Sequence, residues 1–456
     1  MSQKAPLSFI IITGLMLFAL FFGAGNLIFP AMLGQSAGTN LWSASLGFII
    51  TGVGLPFITI LAFGFSGEND VQSLASRAHP LFGLIFTVVL YLSLGPLFAL
   101  PRTGSVSYEI GIKPFLSNDV GFLPLLIFTI IYFGIACLLS INPSKMLDVV
   151  GKILTPLLLI FIGILIVVAI ISPMGEIQSP SADYSDNSFF KGFKEGYLTM
   201  DTLAAFAFGI IIINTIKDKG ITSRKEVLGL SIKAGIIAAS LLVIVYTAMT
   251  YVGATSVEKL GQLDNGGDVL AQASNHFFGS AGAVLLGLIV IAACLTTSIG
   301  LITACSTYFN KILPVISYKS FVVIFSVFSA AVANVGLAKL ISITVPVLTA
   351  LYPVAIVLIV LTFFHSLFKG KSEVYLVSLL LTAIISTMDG LIASGIKMET
   401  VSVLFNQYLP LYSVGIGWVI PAIIGGLLGY MISLMKPTLR KPIKVFINYM
   451  RMNFKS

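Results

Sequence analysis

Long apolar runs dominate this chain, with short polar stretches between them. The runs are continuous rather than alternating. They predict α-helices of membrane-crossing length, about 20 residues each, and not the ten-residue alternation of a β-barrel. Twelve spans follow from the pattern, at 8–33, 41–64, 81–103, 121–140, 147–172, 197–216, 229–253, 279–308, 318–335, 340–364, 374–394 and 408–435. The longest hydrophilic stretches, 173–196 and 255–275, are of ordinary loop length. The expected fold class is an all-α integral membrane protein with no separate polar domain of useful size.

One span looks badly made. Span 1 carries Phe21-Phe22-Gly23-Ala24-Gly25-Asn26 at its middle. Glycine and asparagine are poor helix formers, and a helix interrupted at membrane depth leaves backbone N–H and C=O groups in need of partners. Span 6 has a similar small-residue stretch, with an interruption expected near 207–209. Five spans separate the two starts, and an odd number reverses direction through the membrane. Spans 1–5 (residues 1–173) and 6–10 (residues 174–370) then form inverted repeats, each opening on a broken helix, the pattern of secondary transporters with a midplane site. Spans 11 and 12 (371–435) are appended, and a basic tail follows (436–456).

Composition supports the class. Of 456 residues 57% are hydrophobic and 10% charged, with a mean hydropathy of +1.03. A net charge of +8 would fit nucleic acid, but its distribution fits membrane topology better. With the N-terminus inside, 19 of the 26 Lys and Arg residues fall on the inner side and 7 on the outer, the latter including Arg102 at the end of span 3. Both termini are thus expected in the cytoplasm, with the tail near anionic headgroups. Cys137, Cys294 and Cys305 read as small buried hydrophobes. His79, His276 and His365 lack metal-ligand spacing. No cleavable signal is expected, because the first apolar run is too long.

The broken span defines the chemistry. Its first half ends in carbonyls that suit a cation or ammonium, and its second half begins with amides that suit a carboxylate. Gly23 and Gly25 allow close approach to the backbone. The competing reading is a glycine-assisted helix contact. In span 8, Thr296-Thr297-Ser298 places three hydroxyls in an apolar helix. Sodium, a hard cation, favours such oxygens; the plain alternative is bonding of each hydroxyl to its own helix. Asp201 in span 6 and Arg102 in span 3 are ionisable at membrane depth and are candidates for a gate or charge pair, with interface snorkelling as the alternative for Arg102. Asp389 in span 11 lies outside the repeat. The Gly425–Gly429 run in span 12 matches a small-residue packing motif. Gly370-Lys371-Ser372 lacks the leading glycine of a phosphate loop, so nucleotide binding is excluded.

Three segments carry a family resemblance: Phe21-Phe22-Gly23-Ala24-Gly25-Asn26-Leu27-Ile28-Phe29-Pro30, the run from Gly95 to Thr103, and the run from Gly196 to Ala205. The chain resembles the bacterial branched-chain amino acid:cation symporters of BrnQ type over essentially its whole length. The resemblance implies sodium-coupled uptake of leucine, isoleucine and valine, a LeuT-like fold of five plus five inverted helices, and residence in a bacterial cytoplasmic membrane. It implies a substrate carboxylate at Ala24 and Gly25, within a site formed by Gly23, Ala24, Gly25 and Asn26. It also implies sodium between the carbonyls of Ala19 and Phe22 and the hydroxyls of Thr297 and Ser298, or of Thr296 and Thr297 one register away. One branch of that fold carries an arginine after the break; here Phe29 stands in a run with none, so that branch's outer gate does not transfer. Phe206, Phe208 and Tyr91 are candidate lining residues for an aliphatic side chain.

The leading function is a sodium-coupled amino acid symporter without an organic cofactor, an enzyme activity or a nucleic-acid partner. A proton-coupled symporter or an exchanger of the same fold, with Asp201 titrating, is the alternative. A membrane enzyme or channel is remote, since neither a clustered catalytic set nor a selectivity filter is present. Oligomeric state is left open by the sequence.

Overall fold

A computed structural model of the protein describes residues 6–68, 70–116, 121–141 and 155–435. Among these residues, seven helices are long and apolar enough to cross a membrane. A bent pair, Ser188–Thr199 and Asp201–Asp218, makes an eighth, and four shorter apolar helices, Leu7–Phe21, Leu159–Ile171, Tyr318–Ala333 and Val419–Met435, lie where parts of spans 1, 5, 9 and 12 were expected. The first residues of expected span 5 and the basic tail lie outside the described residues.

Span 1 breaks where its composition says it should. The helix Leu7–Phe21 ends, Phe22 and Gly23 are extended, and a new helix runs Ala24–Ala37. Pro30 is accommodated inside this second half. Span 6 breaks seven residues or more before the expected point. A helical segment begins at Ser188, tightens into a 3₁₀ turn at Gly196–Thr199 and stops at Met200, whose φ of 63° is left-handed. The second half, Asp201–Asp218, is continuous through 207–209. Ala207 and Gly209 therefore serve packing: a side-chain carbon on Gly209 would lie 3.2 Å from the Phe63 ring. Span 3 is longer than expected and is also interrupted. It runs Pro80–Leu92, loosens into a π turn whose Gly95 is non-helical and is followed by Pro96, and resumes at Ala99–Gly111. Proline removes a backbone donor and displaces the preceding turn, which accounts for the bulge.

The long helix Gly266–Ile312 bends at Gly279, close to where span 8 was expected to begin. Span 12 is shorter than expected. A separate helix, Glu399–Tyr408, precedes it, and the span proper is Val419–Met435. Gly425 and Gly429 seat it against span 11, where added side-chain carbons would meet the backbone of Ser378 and Glu373. Gly425 and Gly429 thus serve packing between spans 11 and 12.

The second half of span 1 lies along spans 7 and 8. It meets Arg224–Leu260 backbone to backbone: a Cβ on Gly34 would clash with the Thr250 carbonyl, and one on Gly253 with that of Ala31. Without lipid-excluded hydrophobic gain between helices, such close approach of small residues supplies the contact energy. This anchoring fixes the second half of span 1 against a rigid neighbour and leaves its N-terminal break facing span 6.

Candidate functional site

The two breaks face one small cavity. It is lined by Gly23, Ala24, Gly25 and Asn26 from span 1, by Thr199, Met200, Asp201, Ala204 and Phe208 from span 6, by Arg102 from span 3 and by Thr297 from span 8. Its volume is about 30 Å³. A buried water needs about 10–15 Å³ on this measure, so the conformation described has room for water and not for a leucine.

The amides of Ala24 and Gly25 are in the first turn of a helix, where no intrahelical acceptor exists. Asn26 ties this end down. Its Oδ1 accepts the Gly23 N–H at 2.9 Å, and its Nδ2 donates to Asp201 Oδ2 at 2.6 Å. It also bonds the hydroxyl of Tyr246 from span 7, which in turn donates to the same Asp201 oxygen at 2.7 Å. Asn26, Asp201 and Tyr246 thus lock both breaks to span 7. Asp201 opens the second half of span 6, where a carboxylate is favoured by the helix dipole.

Arg102 is placed differently from either sequence expectation. It is 5% exposed and stands in the interior of span 3, not at an interface, so snorkelling is excluded. It forms no contact ion pair with Asp201. Its Nη1 donates to the Leu198 carbonyl at 2.7 Å and its Nη2 to the Thr199 carbonyl at 3.3 Å. These are the orphaned carbonyls at the end of the first half of span 6. The guanidinium also lies over the Phe29 ring, 5.1 Å from its centroid, and a Cβ on Gly25 would come within 3.0 Å of Nη2. The run after the first break, which lacks an arginine of its own, therefore receives one from span 3.

The three hydroxyls of span 8 separate. Thr297 Oγ1 lies between the Ala293 carbonyl of its own helix, at 3.3 Å, and the Phe22 carbonyl, at 3.5 Å, and its side chain sits against Gly23. Phe22 is at the carbonyl end of the first half-helix, and the Ala19 carbonyl belongs to the same unsatisfied last turn. This is a neutral oxygen set that suits a hard monovalent cation. Ser298 points elsewhere. Its hydroxyl shares hydrogen bonds with Thr103 at 2.6 Å and Tyr132 at 2.9 Å, joining spans 3, 4 and 8. Thr296 donates to the Ala292 carbonyl of its own helix. The expectation that paired hydroxyls would face span 1 is thus corrected to Thr297 alone, because neighbouring residues on a helix point about 100° apart.

Of the aromatic candidates, only Phe208 reaches the cavity, where it also meets Phe21. Phe206 faces away into Phe63 and Phe86. Tyr91 stacks on Tyr308 at 4.4 Å and its carbonyl receives the Cys305 thiol. Both are corrected to core residues. Sequence reasoning missed Tyr246, for which no local pattern exists. It also missed the break at Met200, although a Thr-Met-Asp sequence at membrane depth marks a helix start. A second cavity, about 360 Å³, lies on the other side of the first half of span 6, between Lys194, Glu195, Tyr197, Asp389, Tyr412 and Trp418. It is larger, but it contains neither break.

A sequence model described as branched-chain amino acid transport protein matches residues 7–436. The chain belongs to that family. The family is one of membrane transporters and not of enzymes. The chain is 59% identical to the branched-chain amino acid permease BrnQ of Bacillus subtilis, covering 96% of this chain and 99% of that one. It is 44% identical to the branched-chain amino acid transport system 2 carrier protein of Pseudomonas aeruginosa, covering 90% and 92%. Among solved structures it resembles Mhp1, a nucleobase-cation-symport-1 family transporter, with a TM-score of 0.60 at 14% identity over 92% of this chain and 91% of that one. MhsT in complex with L-phenylalanine gives 0.52 at 15% identity, covering 92% and 97%. At those identities the likeness establishes the fold alone: an all-helical, multi-span architecture that matches LeuT-fold transporters over most of the chain. The chain is a multi-pass membrane protein homologous to bacterial permeases.

Proposed function

We propose that this protein carries leucine, isoleucine and valine into the cell by symport with sodium, through alternating access about the two helix breaks. The observation that carries the reading is Thr297 against the Phe22 carbonyl at a break whose next two amides are free of intrahelical acceptors. The carbonyl side suits Na⁺, with Ala19, Phe22 and Thr297 as ligands. The amide side suits the substrate carboxylate, at Ala24 and Gly25. Support for the substrate class comes from the family and from the names of its relatives. The cavity must enlarge to admit an aliphatic side chain, and Phe208 and Ala204 would then line it. On this reading both termini are cytoplasmic, residues 1–173 and 174–370 are the two inverted repeats, and the bilayer surrounds the rest.

The driving force is adequate. One sodium ion entering down about 100 mV gains about 2.3 kcal/mol, and a tenfold gradient adds about 1.4 kcal/mol. Together roughly 3.7 kcal/mol concentrates a neutral amino acid several hundredfold.

Purified protein in liposomes should accumulate leucine only under an inward sodium gradient. Equal uptake without sodium, whatever the proton gradient, defeats the sodium claim. Thr297→Ala should raise the sodium concentration for half-maximal uptake about tenfold, the loss of roughly 1.4 kcal/mol of ion binding; an unchanged value removes Thr297 from the site. Proton coupling is the second reading. It is favoured by one observation, that Asp201 is buried at the break and bonded by neutral side chains, those of Asn26, Tyr246 and Thr199. Uptake that follows pH and ignores sodium selects it.

A further inference from the structure

Two opposite charges line the break cavity without touching. Arg102, 5% exposed, bonds only neutral carbonyls, those of Leu198 and Thr199. Its Nε is buried with no partner at all. Asp201, 2% exposed, accepts from Asn26 and Tyr246 on Oδ2 and is also bonded by the Thr199 side chain, all of them neutral. No ion pair joins either group to another side chain among the described residues. A guanidinium and a carboxylate at membrane depth, each satisfied only by neutral groups, are held in a state that favours an incoming counter-charge.

The geometry of the first break says where that counter-charge would arrive. A Cβ on Gly25 would come within 3.0 Å of Arg102 Nη2. The guanidinium therefore lies directly over the turn whose Ala24 and Gly25 amides open the second half-helix. An anion on those amides is within reach of the guanidinium too. A planar fork binds a carboxylate through two N–H groups, and of its five N–H groups only two are engaged. Asp201, anchored through Asn26 to the same half-helix, lines the same cavity. An α-amino acid carries one anionic and one cationic group a bond or two apart. The cavity presents one fixed cation and one fixed anion.

We propose that Arg102 and Asp201 divide the substrate zwitterion: Arg102 receives the α-carboxylate together with the Ala24 and Gly25 amides, and Asp201 receives the α-ammonium. The assignment rests on the amino-acid reading above and adds the residues that make the site specific for a zwitterion. It gives Arg102 a second consequence. Its grip on Leu198 and Thr199 holds the end of the first half of span 6, so a carboxylate that engages the guanidinium competes with that grip and loosens the segment between the two cavities.

The test uses the purified full-length protein in nanodiscs, with ligand-dependent thermal stabilisation converted to affinity. The probes are leucine, leucinamide (no carboxylate) and 2-hydroxy-4-methylpentanoate (no ammonium). The wild type should prefer leucine over both analogues by at least about tenfold, the scale of hydrogen bonds to charged groups. Arg102→Gln should weaken leucine at least about tenfold while leaving leucinamide within about threefold, so that discrimination against leucinamide collapses. Asp201→Asn should collapse discrimination against the hydroxy acid and keep that against leucinamide. Where Arg102→Gln does not fold, Arg102→Lys keeps the charge without the fork and is read the same way. A variant that weakens all three ligands by one common factor shows a structural role and overturns the proposal. Equal wild-type affinity for leucine and leucinamide overturns the carboxylate half without any variant. Asp201→Asn that loses its sodium response while still preferring leucine over the hydroxy acid assigns Asp201 to the ion and overturns the ammonium half. A wild type that binds none of the three defeats the transport reading itself, and this assignment with it.

Discussion

The two helix breaks do the same job with different means. The break in span 1 is written into its own residues: two glycines and an asparagine, with Asn26 Oδ1 accepting the Gly23 N–H to close the new helix start. The break in span 6 is written elsewhere. Its pivot is Met200, a large side chain in a left-handed conformation that costs of order 1 kcal/mol for any residue but glycine or asparagine. What holds it is distant in sequence: Arg102 on the carbonyls before it, and Asn26 and Tyr246 on the carboxylate after it. A self-made break can be recognised from a short motif. A break imposed by neighbours cannot, and it depends on every neighbour.

That contrast predicts an order of sensitivities. The largest effect belongs to Arg102→Gln. It removes the two charge-assisted hydrogen bonds to the Leu198 and Thr199 carbonyls, worth about 1.5–3 kcal/mol each. Thermal unfolding of detergent-solubilised protein should fall accordingly and leucine uptake should vanish; a variant with wild-type stability would show that the span 6 break holds itself. Tyr246→Phe removes one hydrogen bond to Asp201, worth about 1.5–3 kcal/mol. Leucine affinity, read by calorimetry, should drop by about tenfold or more. The first break is tested by Gly25→Ala, which sets a methyl 3.0 Å from Arg102 Nη2 and 3.2 Å from the Phe29 ring. Overpacking of this kind costs about 1–3 kcal/mol, seen as weaker leucine binding with the protein still folded. Unaltered binding would show that the guanidinium is free to move aside.

Two smaller effects sharpen the boundary between site and scaffold. Ser298→Ala breaks the link to Thr103 and Tyr132 and should cost about 1 kcal/mol of stability, with the sodium requirement for uptake unchanged. A raised requirement would return Ser298 to the ion site. Gly209→Ala should change uptake and stability least, by under about 1 kcal/mol net, since the crowding of the Phe63 ring is offset by about 1 kcal/mol of helix propensity gained over glycine in a continuous helix. A severe loss would mean that the second break extends further than Met200.

Much of the architecture was legible. Apolar run length gave the spans, because the bilayer demands about 20 residues per crossing, and the span 1 break fell within a residue or two of Gly23–Asn26. Span ends drifted where polar residues continue a helix beyond the apolar core, as in span 3, which reaches Gly111. Arg102 and Asp201 were legible as anomalies, since ionisable groups at membrane depth are rare. Their roles were not. A gate or charge pair was the candidate reading for the two, with snorkelling the alternative for Arg102, and each instead meets uncharged groups. The aromatic lining was legible least: Phe206 and Phe208 differ by two positions, about 200° around a helix, and only their neighbours decide that one faces Phe63 and Phe86 while the other faces the cavity.

By itself the sequence determined that this is a multi-span helical membrane protein, that span 1 is interrupted, and which family it joins. These properties follow from local chemistry: hydropathy over a window, the conformational freedom of glycine, and short runs of residues in order. Only the tertiary structure decided that span 6 turns at Met200, that Thr297 and not Ser298 faces the Phe22 carbonyl, and that an arginine from span 3 stands over the turn of span 1. Each of these depends on a contact between spans far apart in the chain, where the direction of one side chain is set by the packing of another and no local pattern records it.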